Sequence, residues 1–296
     1  MKGFFSNRYH RCSLPPLWRG PGWGFPSLLL FLATACQHEI DFDYPSLEQP
    51  VVMVEGRLTN ENVFVRLTQS CPMDEAVSDS FTLRQAEMHI ICDDGHVENL
   101  VYSDSIDCYV SPTGFVGTPG HTYTLAIELD SHHYEGHSTM PHLAPITETQ
   151  FRWLDIKSAR ILHYDMQAID PQPDTMNYYW YRMLRGQEVY RWNAVDDRGC
   201  PDGLFVRDII CMVEGMARED NKQYHDRVLY EGDTIRLELM TIDQPTYDYL
   251  QSLLLSGQTT ANPITNMKGG CHGFFTAASL THAPMVIFRY EDVLTE

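Results

Sequence analysis

Positive charge is scarce in this chain: 21 Lys and Arg stand against 40 Asp and Glu, for a net charge of −19. Four of the basic residues, Lys2, Arg8, Arg11 and Arg19, fall before residue 36, so the remainder carries 17 against 40, or −23. A body so acidic is repelled by phosphate backbones, which excludes a nucleic-acid partner. No apolar run approaches the roughly 20 residues that a membrane-crossing helix needs. Cys-x-x-Cys, Gly-x-Ser-x-Gly and His-Glu-x-x-His are all missing, which excludes a thioredoxin-type or zinc-ribbon site, a hydrolase elbow and a zincin centre. The acid-rich stretches Asp93-Asp94-Gly95, Asp196-Asp197 and Asp202-Gly203 lack the spacing of a calcium loop and read as turns. Adjacent carboxylates such as Asp196 and Asp197 diverge on an extended loop and do not suggest a glycosidase pair. The expectation is a protein that is not an enzyme and needs no cofactor.

What is present first is an address. Basic residues, the apolar run Leu28-Leu29-Leu30-Phe31-Leu32-Ala33 and then small residues make the three parts of a secretory signal over residues 1–35. The Pro- and Gly-rich leader is long for that purpose, which suggests a start downstream of Met1. Leu32-Ala33-Thr34-Ala35-Cys36 resembles a bacterial lipobox, with Ala33 where Leu is usual. That resemblance implies cleavage before Cys36, acylation of its thiol and a membrane attachment through the N-terminal lipid. Residues 36–49 then form a tether. Its Glu39, Asp41 and Asp43 loosely resemble an acidic surface-export signal, so the expected place is the outer membrane, on the periplasmic face or the cell surface.

From 50 to 142 the pattern is period-two alternation broken by turns. Val52 and Val54, then Val63, Val65 and Leu67, then Ala86, Met88, Ile90 and Cys92 share strand faces. Leu100 and Tyr102 follow the Asp93-Asp94-Gly95 turn, and Tyr123, Leu125, Ile127 and Leu129 make the cleanest strand, with Tyr134 opening the last. About seven short strands without a helix predict an immunoglobulin-like or transthyretin-like β-sandwich. After a linker, residues 147–296 read as a second β-rich domain, with Phe205 to Val213 as a strand pair. One packed helix is expected near 244–256: Asp243 caps it, Pro245 suits its first turn, and Tyr247, Leu250, Leu253 and Leu254 lie at helical spacing.

Several stretches also carry a family resemblance. They are Val52-Met53-Val54-Glu55-Gly56-Arg57-Leu58-Thr59, Thr118-Pro119-Gly120-His121-Thr122-Tyr123-Thr124-Leu125, Ser138-Thr139-Met140-Pro141 and Asn177-Tyr178-Tyr179. Ile242-Asp243 leading to Tyr247-Asp248-Tyr249-Leu250, and Gly269-Gly270-Cys271-His272-Gly273-Phe274-Phe275, complete the set. In order and spacing these resemble the Bacteroidetes lipoprotein family catalogued as domain of unknown function 4249. The resemblance implies an envelope role in nutrient capture or in assisting a TonB-dependent outer-membrane receptor, and supplies neither a substrate nor catalytic residues; the aromatic residues below are what suggest a small ligand or glycan as partner. A structural or adhesive surface role stands second, a hydrolase third.

Three sets of candidate site residues remain. Tyr179, Trp180, Tyr181 and Trp192 cluster with Tyr178 and Tyr190 around one hairpin, and strand alternation puts some of these rings outside as stacking surfaces. His133, Glu135 and His137 share a strand face, with His132 and His142 nearby and His121 as a second-strand donor, and would suit Zn or Cu; a plain polar outer face is the competing reading. Six cysteines follow Cys36, allowing 15 pairings; hairpin spacing favours Cys92 with Cys108 and Cys200 with Cys211, leaving Cys71 and Cys271 unmated.

Overall fold

In a computed structural model the residues described are 50–71, 81–157, 159–217, 222–257 and 261–295. The expected signal peptide, the tether and Cys36 lie outside them.

Alternation of apolar and polar residues builds the first seven strands: β1 (Val52–Thr59), β2 (Val63–Gln69), β3 (Glu87–Cys92), β4 (Val97–Ser103), β5 (Cys108–Val110), β6 (Thr122–Leu129) and β7 (His132–Thr139). The second half supplies β8 (Ile146–Ile156), β9 (Ala159–Ile169), β10 (Tyr178–Arg185), β11 (Glu188–Asp196), β12 (Leu204–Val213) and β13 (Thr234–Ile242). The helix α1 (Gln244–Ser256) follows, then β14 (Met267–Lys268), β15 (His272–His282), β16 (Val286–Ile287) and β17 (Leu294–Thr295). The protein is mainly β with one packed helix, as its patterning predicts.

Thirteen strands form one sheet in the order β11-β10-β13-β15-β1-β2-β5-β4-β3-β6-β7-β14, with β16 beside β13; β12-β9-β8-β17 form a second. The long sheet folds back on itself until β7 packs over β15. At Gly136 a Cβ would strike Met267, and at Gly56 it would press on Leu125 and Phe275. Between these layers lie Val54, Leu58, Val65, Ile90, Leu125 and Ile127, all buried, and the resulting interior is sandwich-like.

A second core fills the space between the four-stranded sheet and β10. Leu162, Tyr164 and Met166 of β9 meet Tyr179, Tyr181 and Met183 of β10, and Tyr179 stacks on Phe205 with ring centroids 3.9 Å apart. The opposite face of β10 and β15 forms a third cluster with α1, where Tyr249 stacks on Phe274 at 4.7 Å. The helix starts as expected: the Thr246 backbone N–H donates to Asp243 Oδ1 at 3.1 Å, and Pro245 occupies the first turn.

Two differences concern boundaries. The stretch expected as a strand pair is one strand, β12, because the break in its pattern is a bulge between Ile210 and Met212 and not a turn. The division expected at 142–147 is crossed by the chain's return: β14 pairs with β7, and β15 runs parallel to β1 from Met53↔His272 to Thr59↔Ala278. Met267, Cys271, Phe275 and Ala277 thereby complete the N-terminal core.

Candidate functional site

Period-two geometry assigns every second residue of a strand to the other face. Where Val54 and Leu58 of β1 enter the sandwich, Met53, Glu55 and Arg57 face away; where Val63, Val65 and Leu67 of β2 do so, Phe64, Arg66 and Thr68 face away. On β10 the same rule sends Tyr179, Tyr181 and Met183 into one core and leaves Trp180 and Arg182 on the other side. These outward faces line a cleft of about 690 Å3 together with Tyr249, Leu250 and Leu253 of α1. Phe64, Trp180, Trp192 and Phe274 supply aromatic wall.

The electrostatics of the cleft are opposite to those of the molecule. Arg57, Arg66 and Arg182 line the cleft with one glutamate, Glu55: Arg66 sits 3.7 Å from Glu55, while Arg182 and, outside the lining, Arg236 lie 3.7 and 3.6 Å from Glu238. Arg57 is left over. Its guanidinium carbon lies 4.3 Å from the Phe64 centroid and 5.8 Å from that of Trp180, and its buried Nε has no hydrogen-bond partner among the described residues. Burial, followed by repulsion from Arg182, lowers its pKa to about 10, so it keeps its charge at neutral pH. The Trp180 ring has Arg182 at 5.9 Å from its centroid, and its buried indole N–H is also without a partner.

The expected aromatic set is therefore divided. Trp180 and Trp192 line the cleft, while Tyr179, Tyr181 and Tyr190 fill the core below β10. Tyr190 is held there by donating its hydroxyl to Cys211 O at 2.7 Å. Tyr178 packs against Tyr247 of the helix at 4.8 Å. Arg57, Phe64, Arg66 and Arg182 were not among the sequence candidates; the signal available was the parity of β1 and β2, whose second faces carry arginine and phenylalanine where a solvated face would carry only polar groups.

His133, Glu135 and His137 do share one face of β7, but their nitrogen and oxygen atoms serve one another. His133 Nδ1 lies 2.6 Å from Glu128 and His137 Nε2 lies 2.6 Å from Glu135 Oε1, with Lys268 Nζ 3.6 Å from the same oxygen. The histidine contacts and the nearby ammonium hold the Glu135 carboxyl below its ordinary pKa. Ligand-forming atoms converge elsewhere. Cys92, Asp94 and His121 form one group, and His163, Asp165 and Asp208 another, on the face shared by β9 and β12. In the first, His121 Nδ1 is 2.6 Å from Asp93, which raises the imidazole pKa. In the second, both His163 ring nitrogens are buried without partners among the described residues, and Arg152 Nε donates to Asp165 Oδ2 at 2.7 Å, so a cation already serves one of the acids.

The two pairings drawn from cysteine spacing are not made, and the described cysteines are free thiols. Cys92 ends β3 beside the hairpin turn, whereas Cys108 faces Ser103 at the far end of β4. Six residues of strand separate those ends, roughly 20 Å, far beyond the Cα spacing a disulfide allows. Cys200 Sγ lies 3.6 Å from Val206 O near the start of β12. Cys211 lies five residues further along that strand, its Sγ 3.9 Å from Met183 Sδ in the core, where burial raises its pKa to about 12. Cys71 is half-buried and Cys271 is buried with the N-terminal core.

A family model described as a domain of unknown function (DUF4249) covers residues 37–282. None of the curated proteins compared with the chain matches it.

Proposed function

The chain belongs to the DUF4249 family, and on that premise we propose that it is a non-catalytic lipoprotein of the cell envelope that captures a small ligand for a TonB-dependent outer-membrane transporter. The observation that carries this reading is the cleft between β1, β2, β10 and α1, with Trp180 and Trp192 on its walls and the Nε of Arg57 within it lacking a hydrogen-bond partner among the described residues. A concave, mostly apolar hollow with a few polar groups is the common form of a small-ligand site. Its side chains suit binding: Glu55 is held by Arg66, and Glu238 beside it by Arg182 and Arg236, which leaves neither as a ready general base.

The Leu32 to Cys36 segment supports a place on the membrane, with the thiol of Cys36 as acyl acceptor. No helix among the described residues is long and apolar enough to cross a bilayer. Attachment then rests on the lipid, each buried CH2 contributing about 0.8 kcal/mol.

Two measurements test the proposal. Replacing Cys36 with Ser should move the protein from the membrane pellet to the soluble fraction and abolish palmitate labelling; a variant that pellets and labels unchanged removes the anchor. Affinity purification from detergent-solubilised envelopes should then recover a TonB-dependent receptor with the wild-type chain. Recovery of the chain with further copies of itself or with matrix material, and no receptor, would favour an adhesive role instead.

A further inference from the structure

We infer that the cleft takes a ligand bearing an oxyanion next to a flat apolar ring, with Arg57 as the anion's anchor and Trp180 and Trp192 as the ring's walls. This rests on the reading of the cleft as a ligand site and adds the chemical class of what enters it.

Three observations converge on it. The first is the surplus of donors. Arginine always carries charge and presents five N–H donors in a planar fork, and Arg57 satisfies none of them on another described residue: its neighbours are the faces of Phe64 and Trp180. The two carboxylates closest in charge to it, Glu55 and Glu238, are engaged by Arg66, Arg182 and Arg236. A guanidinium half-buried against aromatic rings, with its local acids already taken, costs free energy in the empty protein, and an incoming oxyanion removes that cost.

The second is that other donors near it are also unmet. Among the described residues the Trp180 indole N–H is buried without an acceptor, and so is the hydroxyl of Thr276, which stands directly across from Arg57 in the β1–β15 ladder. Groups of this kind are paired in most folded proteins. Three together, two of them able only to donate, describe a place for an acceptor-rich group. The third is selectivity against the rest of the molecule. In a body with 17 basic and 40 acidic residues after position 36, three arginines, Arg57, Arg66 and Arg182, line this cleft with one glutamate, Glu55. The field therefore draws an anion to this cleft and away from other surfaces.

The ring requirement follows from shape. Planar guanidinium recognises carboxylate and phosphate oxygens in its own plane, while its face already lies against Phe64, so the oxyanion must approach edge-on from the cleft. A ligand entering that way lays the part behind its anion along Trp180, Trp192 and Leu253.

Calorimetric titration of the full chain with 2-naphthoate, 2-naphthyl phosphate and neutral 2-naphthalenemethanol tests the inference. At least one anion should bind about tenfold or more tightly than the alcohol, the size of a charge-assisted hydrogen bond to arginine. A preference for the phosphate or for the carboxylate assigns the oxyanion to that class, and either supports the inference. Arg57→Met should reduce both anions to the level of the alcohol, and Arg57→Gln should do the same if the methionine variant proves unfolded by circular dichroism. Equal binding of all three probes by the wild type, or an unchanged anion preference in a folded Arg57 variant, overturns the anion anchor while leaving the cleft as a ligand site. Failure of every probe to bind overturns both.

Discussion

Gly273 stands opposite Val54 in the β1–β15 ladder, with φ at +105°; a Cβ there would run into the Val54 carbonyl. Glycine adopts that conformation without penalty, and any other residue is strained in backbone and contact alike. Gly273→Ala should therefore lower stability by about 3 kcal/mol, read as a fall in the urea midpoint at unchanged slope. A loss no larger than that of an exposed Gly→Ala exchange would show that the parallel pairing does not depend on this approach. The position belongs to Gly269-Gly270-Cys271-His272-Gly273-Phe274-Phe275, one of the stretches that carry the family resemblance, so its importance was visible in the sequence although its partner was not. Arg57 shows the reverse. It stands in plain view in Glu55-Gly56-Arg57-Leu58, yet what makes it a candidate is that the acids around it are claimed by Arg66, Arg182 and Arg236, and the meeting of β1 with β10, over a hundred residues away along the chain, leaves no trace in local pattern. The cysteines fail for a related reason. Spacing along the chain suggested hairpin partners, but strand direction carried Cys92 and Cys108 to opposite ends of β4.

At the scale of elements, the helix was the most legible feature, because its signals are local: a capping aspartate, a proline in the first turn and apolar residues at helical spacing. What the pattern did not reveal is that the cap also fastens the helix to the sandwich. Asp243 Oδ2 accepts from Ser138 Oγ at 2.8 Å, and the same hydroxyl accepts from the Ala277 backbone N–H at 2.8 Å, so α1, β7 and β15 meet at one carboxyl. Its burial outweighs these hydrogen bonds and raises its pKa from the ordinary value of 3.8. Between 3.8 and the raised value the folded state keeps a proton that the unfolded chain has released, so this group's contribution to stability falls as pH rises through that window and stays low above it. Asp243→Ala should cost about 1–2 kcal/mol as a lost cap. Asp243→Asn, neutral at every pH, should lose less, and its deficit relative to wild type should shrink as urea midpoints are taken from pH 3 to pH 6. A deficit that widens over that range would mean the carboxylate is stabilised in place and the sign is wrong. The strand β12 shows the limit of local reading from the other side: a bulge between Ile210 and Met212 shifts the alternation by one residue, which in the sequence looks like a turn between two strands.

For the whole molecule, the alternation from 50 to 142 announced a sandwich and the rest a β-rich body, and both exist. The boundary between them was drawn where composition changes, at Pro141 and Pro145, whereas the chain closes the first core only at its far end. Phe275 and Ala277 are fully buried among residues 54–140, Met267 and Cys271 nearly so, and seven residues of β15 pair with β1. A buried phenylalanine alone contributes about 1.5–3 kcal/mol, and a fragment ending at 142 would expose its site and leave β1 as an unpaired edge. The same β15 pairs with β13 and carries Phe274 and Ala278 into the cluster under α1, so loosening it opens both halves at once. The protein should therefore unfold as one unit. Far-UV circular dichroism, which sees all strands, and tryptophan fluorescence, which in the described body reports Trp153, Trp180 and Trp192 of the second half, should give coincident urea midpoints. The fragment 50–142 should show no sigmoidal transition. Separate midpoints for the two probes, or a fragment that folds alone, would mean that β15 completes the sandwich without being required by it, and that the cleft lies between bodies free to move instead of being held by the sheet they share.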